Sequence, residues 1–196
     1  MIDLALGYLV RRLDGHLQKE FEFQGPAVTL ATPGKTAAGD SPPEGLILSL
    51  LQATRDPSAP HGILQTEVSG TTAIRRLPAL ALNIQVLLAA NFDDRYEEGL
   101  AALSSALGFF QANPVFGKDA QTDPLPAPMR KLSIELASLS LQDLTGLWSV
   151  MGGRFLPSVV YQLRLVMIDP AKVQRQDGIV QEIGIDLARS KDKGEA

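Results

Sequence analysis

Residues 81–114 read ALNIQVLLAANFDDRYEEGLAALSSALGFFQANP and predict a strand followed at once by a helix. In the first part, apolar side chains occupy every second position from Leu82 to Leu88, which is typical of a half-buried strand. In the second part, apolar side chains recur at three- and four-residue steps, which indicates an amphipathic helix. The stripe of that helix consists of Tyr96, Leu100, Leu103, Leu107 and Phe110.

The predicted helix has clear limits and a cluster of acidic residues at its start. Asp94 with Glu97 fits a capping box, and Asn113-Pro114 stops the helix. Paired carboxylates can bind a metal ion or act as acid and base. Acidic residues at a helix start also cap it and complement its dipole. A helix cap accounts for all four acidic residues at this position: Asp93, Asp94, Glu97 and Glu98.

Periodicity assigns further elements on both sides of this pair. Two more helices are predicted, one from Ile2 to Phe21 and a short one capped by Ser140 with Asp143. Further strands are predicted at 27–31, 46–55, 131–139, 158–168 and 179–187, with a hairpin within 63–77 that turns near Gly70. This order predicts an α+β fold, in which a mostly antiparallel or mixed sheet packs against amphipathic helices on one face. We expect a single domain over residues 1–188 and a charged, disordered tail over 189–196.

Composition limits the classes of function. Hydrophobic residues make up 45 % of the 196 residues and charged residues 20 %, which is ordinary for a soluble domain. The net charge of −4 leaves no basic excess for binding a nucleic-acid backbone. The absence of cysteine excludes disulfides and thiolate metal sites and favours an intracellular origin. Asp3 interrupts the first apolar run, which therefore does not read as a signal peptide, and no stretch reaches the ~18 apolar residues of a membrane span.

A glycine pair and a GKT motif both resemble parts of phosphate loops. Phosphate loops place glycine before a helix, where free N–H groups and the dipole meet the anion. Gly152-Gly153 instead follows the short helix, which indicates a helix stop. The motif TPGKT at 32–36 lacks the glycine that a P-loop needs five residues before Gly34, because that position is Thr29. The sequence therefore predicts no nucleotide site.

Catalytic and metal-binding patterns are also missing from the sequence. His16 falls on the polar side of the first helix and His61 in a Pro/Gly loop, and neither has the spacing of a metal-ligand pair. No G-x-S-x-G elbow occurs, and a cysteine nucleophile is impossible. We therefore expect no catalytic residue, cofactor or metal. An enzyme whose catalytic residues are dispersed across the fold stays an alternative, besides the two non-catalytic functions given below.

Two blocks of the sequence, residues 82–116 and 132–169, carry a distinctive set of residues. The first block contains Asn91-Phe92, Tyr96, Glu97-Glu98, Phe109-Phe110-Gln111 and Pro114 to Phe116. The second block contains Leu144, Leu147-Trp148, Gly152-Gly153, Pro157-Ser158, Tyr161 and Arg164. In this set and in its opening helix, the chain resembles the N-terminal domain of cap proteins, or tail terminators, of phage-tail-like contractile injection systems of the antifeeding-prophage and virulence-cassette type.

The resemblance implies a structural role without catalysis or a cofactor. It implies a ring, which we expect to be a homohexamer, at the distal end of the contractile sheath and inner tube. The ring would stop growth, lock the particle length and hold the last sheath ring. The implied partners are copies of this chain and the sheath and inner-tube proteins, with no nucleic acid and no membrane insertion. The implied localisation is cytoplasmic during assembly, and then in a particle that is released or anchored.

Six basic or aromatic residues are the candidates for contacts with these partners. They are Arg130, Lys131, Trp148, Arg154, Phe155 and Arg164. The loops at 32–45 and 117–130 could lie over neighbouring subunits or the channel, and an extended arm of a partner could add to a sheet edge. The alternative function is a non-catalytic accessory or assembly module, such as a baseplate or tube chaperone, that binds tube or sheath subunits as a monomer or dimer.

Overall fold

The chain divides into two compact units, Met1–Pro60 with Ala79–Pro170 and His61–Pro78 with Ala171–Ala196. The computed structural model describes residues 1–34, 43–59, 65–69, 72–76, 79–117, 123–151, 155–167 and 173–178. The expected single domain over 1–188 with a tail over 189–196 stays a prediction.

Helices and strands follow one another along the described residues largely as the periodicity predicts. In chain order they are α1 (Ile2–Glu20), β1 (Val28–Leu30), β2 (Gly45–Arg55), β3 (Gln65–Ser69), β4 (Thr72–Arg76), β5 (Leu80–Asn91), α2 (Tyr96–Ala112), β6 (Val115–Gly117), β7 (Met129–Ala137), α3 (Leu141–Val150), β8 (Ser158–Met167) and β9 (Val173–Gly178). The predicted strand at 179–187, the pair Gly152-Gly153 and the last two residues of the TPGKT motif, Lys35 and Thr36, lie outside the described residues.

The larger unit is built on a six-stranded sheet in the order β1-β2-β5-β8-β7-β6. β1 pairs with β2 in parallel, and the other neighbouring strands pair antiparallel. The inner strands have between 9 and 12 residues, whereas β1 and β6 at the two edges have 3 each. This mixed sheet, with its amphipathic helices, confirms the predicted α+β fold.

The smaller unit contains a three-stranded antiparallel sheet in the order β3-β4-β9. The predicted hairpin is confirmed as β3 and β4, with Ser69 opposite Thr72. The sequence did not predict β9, because VQRQDG has one apolar residue, Val173, and hence no alternation. It also did not predict β6, which at three residues is too short to show a period.

One face of the six-stranded sheet is closed by α1 and α2. Successive side chains of a strand alternate between faces, so Ile84 and Leu88 of β5 and Leu163 of β8 share this side. They belong to one core with the apolar stripes of the helices, represented by Leu13 of α1 and Phe110 of α2. All five side chains are buried. We call this side of the sheet the closed face.

The opposite face of the sheet is covered only in part, by α3. Leu87, Ala89 and Val160 form a second, smaller apolar cluster with Trp148 of α3. The prediction of helices against one face is therefore wrong for α3, because β5 and β8 carry apolar residues on both faces where β5 ends and β8 begins. Farther along the two strands, this face carries polar residues: Asn83, Gln85, Gln162 and Arg164. We call this side the open face.

The starts of α2 and α3 differ in how well the sequence predicted them. The cap of α3 is confirmed, since Ser140 Oγ accepts a hydrogen bond from the Asp143 N–H at 3.1 Å. The capping box at Asp94 is wrong, because the N-cap of α2 is Arg95 and makes no side-chain cap hydrogen bond. A turn in which the Arg95 N–H donates to the Phe92 carbonyl at 2.7 Å moves the helix start one residue onward. Asp93 and Asp94 consequently precede the cap.

Candidate interface surfaces

α3 leaves most of its surface exposed. Trp148 is its one buried residue among those described, at 4 % exposure, and it fills the small cluster on the open face. Leu141 and Val150, near the two ends of the helix, are 80 % and 89 % exposed. Large exposed apolar side chains on one short helix indicate a surface that a partner can cover.

Phe155 and Tyr96 continue this apolar surface beyond α3. The Phe155 ring is 60 % exposed and meets the Trp148 ring edge-on, with centroids 5.8 Å apart. Tyr96, at the first turn of α2, is 58 % exposed. Phe155 and Tyr96 both line a cavity of about 140 Å³ whose floor includes Phe92 and Leu156. We call Tyr96, Trp148 and Phe155 the aromatic surface.

The aromatic surface has the composition of an interface anchor. Aromatic side chains bury large areas at little entropic cost and dominate binding energy at many interfaces. The cavity beside Phe155 is large enough for one apolar side chain of a partner, which would be buried at about 25 cal/mol per Å². The structure thus brings together two predicted residues, Trp148 and Phe155. It adds Tyr96, which the sequence places in a helix stripe and among the residues of the resemblance but not among the predicted contacts.

Arg164 is engaged inside the chain. Its Nε lies 2.5 Å from Asp56 Oδ2, and its Nη2 donates to Ser58 Oγ at 3.0 Å. Ser58 donates to Asp56 Oδ1 through its hydroxyl at 2.7 Å and its backbone N–H at 2.9 Å. These bonds from Ser58, and after them the Arg164 guanidinium, lower the pKa of the Asp56 carboxyl below its ordinary value. The network ties β8 to the segment that follows β2.

Arg130 and Lys131 lie far from the aromatic surface. Both are exposed on β7, where the register shifts between Met129 and Lys131. Lys131 is opposite Val166, near the end of β8, whereas Phe155 precedes the start of that strand. Arg154 lies outside the described residues. The six predicted residues therefore do not form one site, and their roles in an interface stay predictions.

A small cavity on the closed face was not predicted from the sequence. It measures about 230 Å³ and is lined by Leu107, Phe110, Leu136 and Tyr161, among others. Burial raises the pKa of Tyr161 to about 12. Its hydroxyl has no hydrogen-bond partner among the described residues. The arrangement can hold an apolar group but offers no acid or base that titrates near neutral pH.

Potential metal ligands are not grouped together in the described part of the chain. Within it, no group of three or more His, Asp or Glu side chains is placed to hold a metal ion. His16 instead joins the two long helices, since its ring stacks on Phe109 with centroids 4.9 Å apart and its Nε2 lies 3.1 Å from Ser105 Oγ. His61 lies outside the described residues. Among the helices that are described, none is long and apolar enough to cross a membrane.

Comparisons with known proteins relate this fold to contractile injection systems. Among solved structures, the chain is similar to the sheath/tube terminator of an extracellular contractile injection system, PVC, in the extended state. That match has 14 % sequence identity and a TM-score of 0.56, and covers 100 % of this chain and 64 % of the other. The chain is also similar to the tube-terminating cap of the anti-feeding prophage, AFP, with 12 % identity, a TM-score of 0.59 and coverage of 94 % and 59 %. Among curated proteins, no match was found.

The two kinds of match carry different weight. At this low identity, the similarity to the two solved structures shows a common fold, and the chain spans about three fifths of the length of each of those proteins. The family match is to the Pvc16 N-terminal domain and extends over residues 7–182, from within α1 to beyond β9. Because it includes most of the sequence, this chain belongs to the Pvc16 N-terminal domain family.

Proposed function

We propose that this chain is the structural cap, or tail terminator, of a contractile injection system and closes the distal end of its sheath and inner tube. The observation that carries the proposal is the fold, which the chain shares over 94 to 100 % of its length with a tube-terminating cap and a sheath/tube terminator. Membership of the Pvc16 N-terminal domain family supports the same function.

The edges of the sheet suit a protein that ends an assembly. An exposed edge is a template on which another chain can add a strand. In the larger unit both edge strands have 3 residues. At β1, Asp14 of α1 also accepts hydrogen bonds from the N–H groups of Ala27, at 2.7 Å, and Val28, at 3.1 Å. Edges this short favour contacts through side-chain surfaces over the addition of a partner's arm to this sheet.

The proposed cap is a homohexameric ring that acts mechanically and has no catalytic step. A ring needs head-to-tail contacts that close on themselves, and each contact would bury on the order of 800 Å² per partner. We assign the aromatic surface to contacts with sheath or tube, because it combines the exposed rings of Tyr96 and Phe155 with a cavity for one side chain. We also propose that the particle is assembled in the cytoplasm and that residues 1–188 act as a single domain.

Particle length tests the proposal directly. Cells that produce the particle without this chain should yield sheath–tube structures of variable length, because nothing stops growth at the distal end. Electron microscopy of purified particles measures the length distribution, and the chain supplied from a plasmid should restore it. Labelled protein should bind one end of each particle. Particles of normal length and stability in the absence of the chain would contradict the proposed function.

Native mass separates the cap from the accessory module. Size exclusion with light scattering over a series of concentrations should detect a species near six protomers. A monomer or dimer that binds free tube subunits, and leaves the ends of assembled tubes bare, would instead support the assembly module. A ring found only on tube ends would still support the cap.

A further inference from the structure

A cleft of about 470 Å³ opens beside the start of α2. It is lined by the segment that leaves α1, by the start of β2 and by Arg95. Phe23 and Phe92 form an aromatic wall, with ring centroids 6.2 Å apart. Glu22 and Glu44 line the same cleft, and both are exposed. The cleft therefore combines aromatic faces with accessible carboxylates.

Arg95 shows which chemical group this cleft accommodates. Its guanidinium carbon lies 5.8 Å from the centre of the Phe92 ring. The same guanidinium pairs with Glu44 and, at 2.7 Å, with Glu98. A ring face and carboxylates are the groups that bind arginine and lysine side chains.

Acidic residues outnumber Arg95 around the cleft. Besides the three carboxylates already named, three exposed ones lie at the start of α2: Asp93, Asp94 and Glu97. These residues do not form the predicted capping box, since the N-cap is Arg95. Asp93 lines the cavity beside Phe155 instead. We call Glu22, Glu44 and Glu98, together with Arg95, the acidic cleft. Its three carboxylates outnumber its one guanidinium, so the acidic cleft carries an excess of negative charge that suits a basic partner.

The opposite edge of the same sheet is positively charged. Arg130 and Lys131 are exposed on β7, and Lys131 is opposite Gly117 of the edge strand β6. On the helical side of that strand, the Arg12 guanidinium carbon lies 6.0 Å from the centre of the Phe116 ring. We call Arg11, Arg12, Arg130 and Lys131 the basic edge. The Tyr8 hydroxyl of α1 donates a hydrogen bond to the Asp123 carbonyl at 3.0 Å, which places one acidic residue near these four basic ones.

The acidic cleft and the basic edge occupy opposite corners of the sheet. Gly45 in the cleft is opposite Asn91, where β5 ends. Lys131 is opposite Val166, which is opposite Ala81 near the start of β5. Ala81 and Asn91 are ten residues apart on β5, so the two corners are ~33 Å apart along the strand direction. A two-fold contact at one corner alone would oppose like charges, so unlike charges meet either in a head-to-tail contact or in a two-fold contact that spans both corners. Of these two arrangements, only the head-to-tail contact can build a ring by itself.

We infer that the acidic cleft of one copy receives the basic edge of the next copy. The inference rests on the proposed ring, whose closure requires one contact of this kind per subunit. Charge complementarity selects a second copy as the occupant, and Lys131 and Arg130 as the side chains that approach Glu22 and Glu44. Because both surfaces are exposed, salt weakens the contact.

Charge reversal and mixing test the contact. Lys131→Glu and Glu44→Lys should each raise the apparent dissociation constant of self-association about tenfold, because each opposes like charges. A mixture of the two variants should associate like the wild type, since each reversed surface then meets its complement. Gln142→Lys, an exposed change on α3, is the control and should leave association unchanged. Analytical ultracentrifugation at low and high salt measures these four samples and the wild type, with circular dichroism to confirm folding.

The outcomes separate this inference from the proposed function. Weakened single variants and restored association in the mixture support it. Single variants that associate like the wild type, a mixture that fails to recover, or a wild type that stays monomeric at low salt would overturn it. Ring formation that is insensitive to charge reversal would leave the proposed cap intact. Particles that keep a normal length without the chain would count against the cap, whatever the charge variants do.

Discussion

The closed and open faces of the six-stranded sheet are built from the same strands, yet they differ in almost every physical respect. On the closed face, Ile84 and Leu163 are fully buried beneath two long helices. On the open face, one short helix covers Leu87 and Val160, while Arg164 one residue beyond Leu163 stays half exposed. Alternation along a strand lets adjacent residues serve these different surroundings.

This difference teaches which face stabilises the chain and which is free for assembly. Burial of apolar area is the dominant favourable term in folding, and the closed face contains most of it. The open face buries one small cluster and leaves polar side chains and most of α3 at the surface. Substitutions on the closed face should therefore mainly lower stability, whereas substitutions of exposed residues around α3 should mainly weaken binding.

The largest effect is expected at the centre of the closed face. Leu163→Ala should lower the free energy of unfolding by about 4 kcal/mol, because it removes a fully buried side chain and leaves a cavity. Leu136→Ala on the neighbouring strand is the matched control, since Leu136 is 60 % exposed, and should cost less than about 1 kcal/mol. Urea denaturation followed by circular dichroism measures both. Both residues are on the closed face and differ in burial, so equal losses would show that burial there does not determine the cost.

The difference between the faces also marks how far the sequence predicts the fold. The pair β5–α2 and the Ser140 cap of α3 follow from local periods and local hydrogen bonds, which a sequence displays directly. The placement of α3 does not, because Leu87, Ala89 and Val160 meet Trp148 only once β5 and β8 are paired. The capping box at Asp94 failed for a related reason, since the turn from Phe92 to Arg95 competes with it.

The candidate surfaces were predicted less completely than the fold. Trp148 and Phe155 lie close in sequence, so their contact could be anticipated from α3 and the segment after it. The sequence predicts Arg164 as an interface residue, but its partner Ser58 is 106 residues away and no local pattern reveals the pair. Tyr96 joins Phe155 only through tertiary folding.

Trp148 tests whether the cluster under α3 contributes to stability. Trp148→Ala should cost about 3 kcal/mol, at the low end for a buried tryptophan, because its cluster is small and lies beside exposed residues. Ser149→Ala, an exposed change at the next position, should stay within about 0.5 kcal/mol of the wild type. Thermal and urea unfolding measure both. A loss as large as that of Leu163→Ala would erase the distinction between the two faces.

The Asp56 network should make stability depend on acid pH. The pKa of Asp56 is lowered in the folded chain, first by Ser58 and then by Arg164. Its contribution is therefore present above the unfolded value of about 3.9 and is lost as the pH falls through the lower folded value. Asp56→Asn should be less stable than the wild type at pH 7, and the gap should close toward pH 2. Arg164→Leu should also lower the stability at pH 7, but by less than Asp56→Asn. A stability difference between the wild type and Asp56→Asn that stays constant with pH, measured by urea unfolding, would contradict this.

Removal of the Tyr161 hydroxyl on the closed face should change stability less than the substitutions above. Tyr161→Phe removes a buried hydroxyl that has no partner among the described residues, so it should be neutral or stabilise by up to about 1 kcal/mol. The pKa of Tyr161 is about 12 when folded and about 10 when unfolded, so wild-type stability should fall as the pH rises above 10. The variant should lose less in that range. A clear loss at pH 7 would mean that the hydroxyl has a partner.

Phe155 gives the smallest expected change in stability and separates binding from folding. Because its ring is 60 % exposed, Phe155→Ala should change the free energy of unfolding by less than about 0.5 kcal/mol. If the aromatic surface contacts sheath or tube, the same change should weaken binding to particle ends by tenfold or more, roughly 1.4 kcal/mol. Leu4→Ala is the control and should bind normally, since Leu4 is 44 % exposed, lies on α1 and does not line the Phe155 cavity. Pull-down of labelled protein with purified particles measures the fraction of particle ends that are bound. Normal binding by Phe155→Ala would show that the aromatic surface does not contact the sheath or tube.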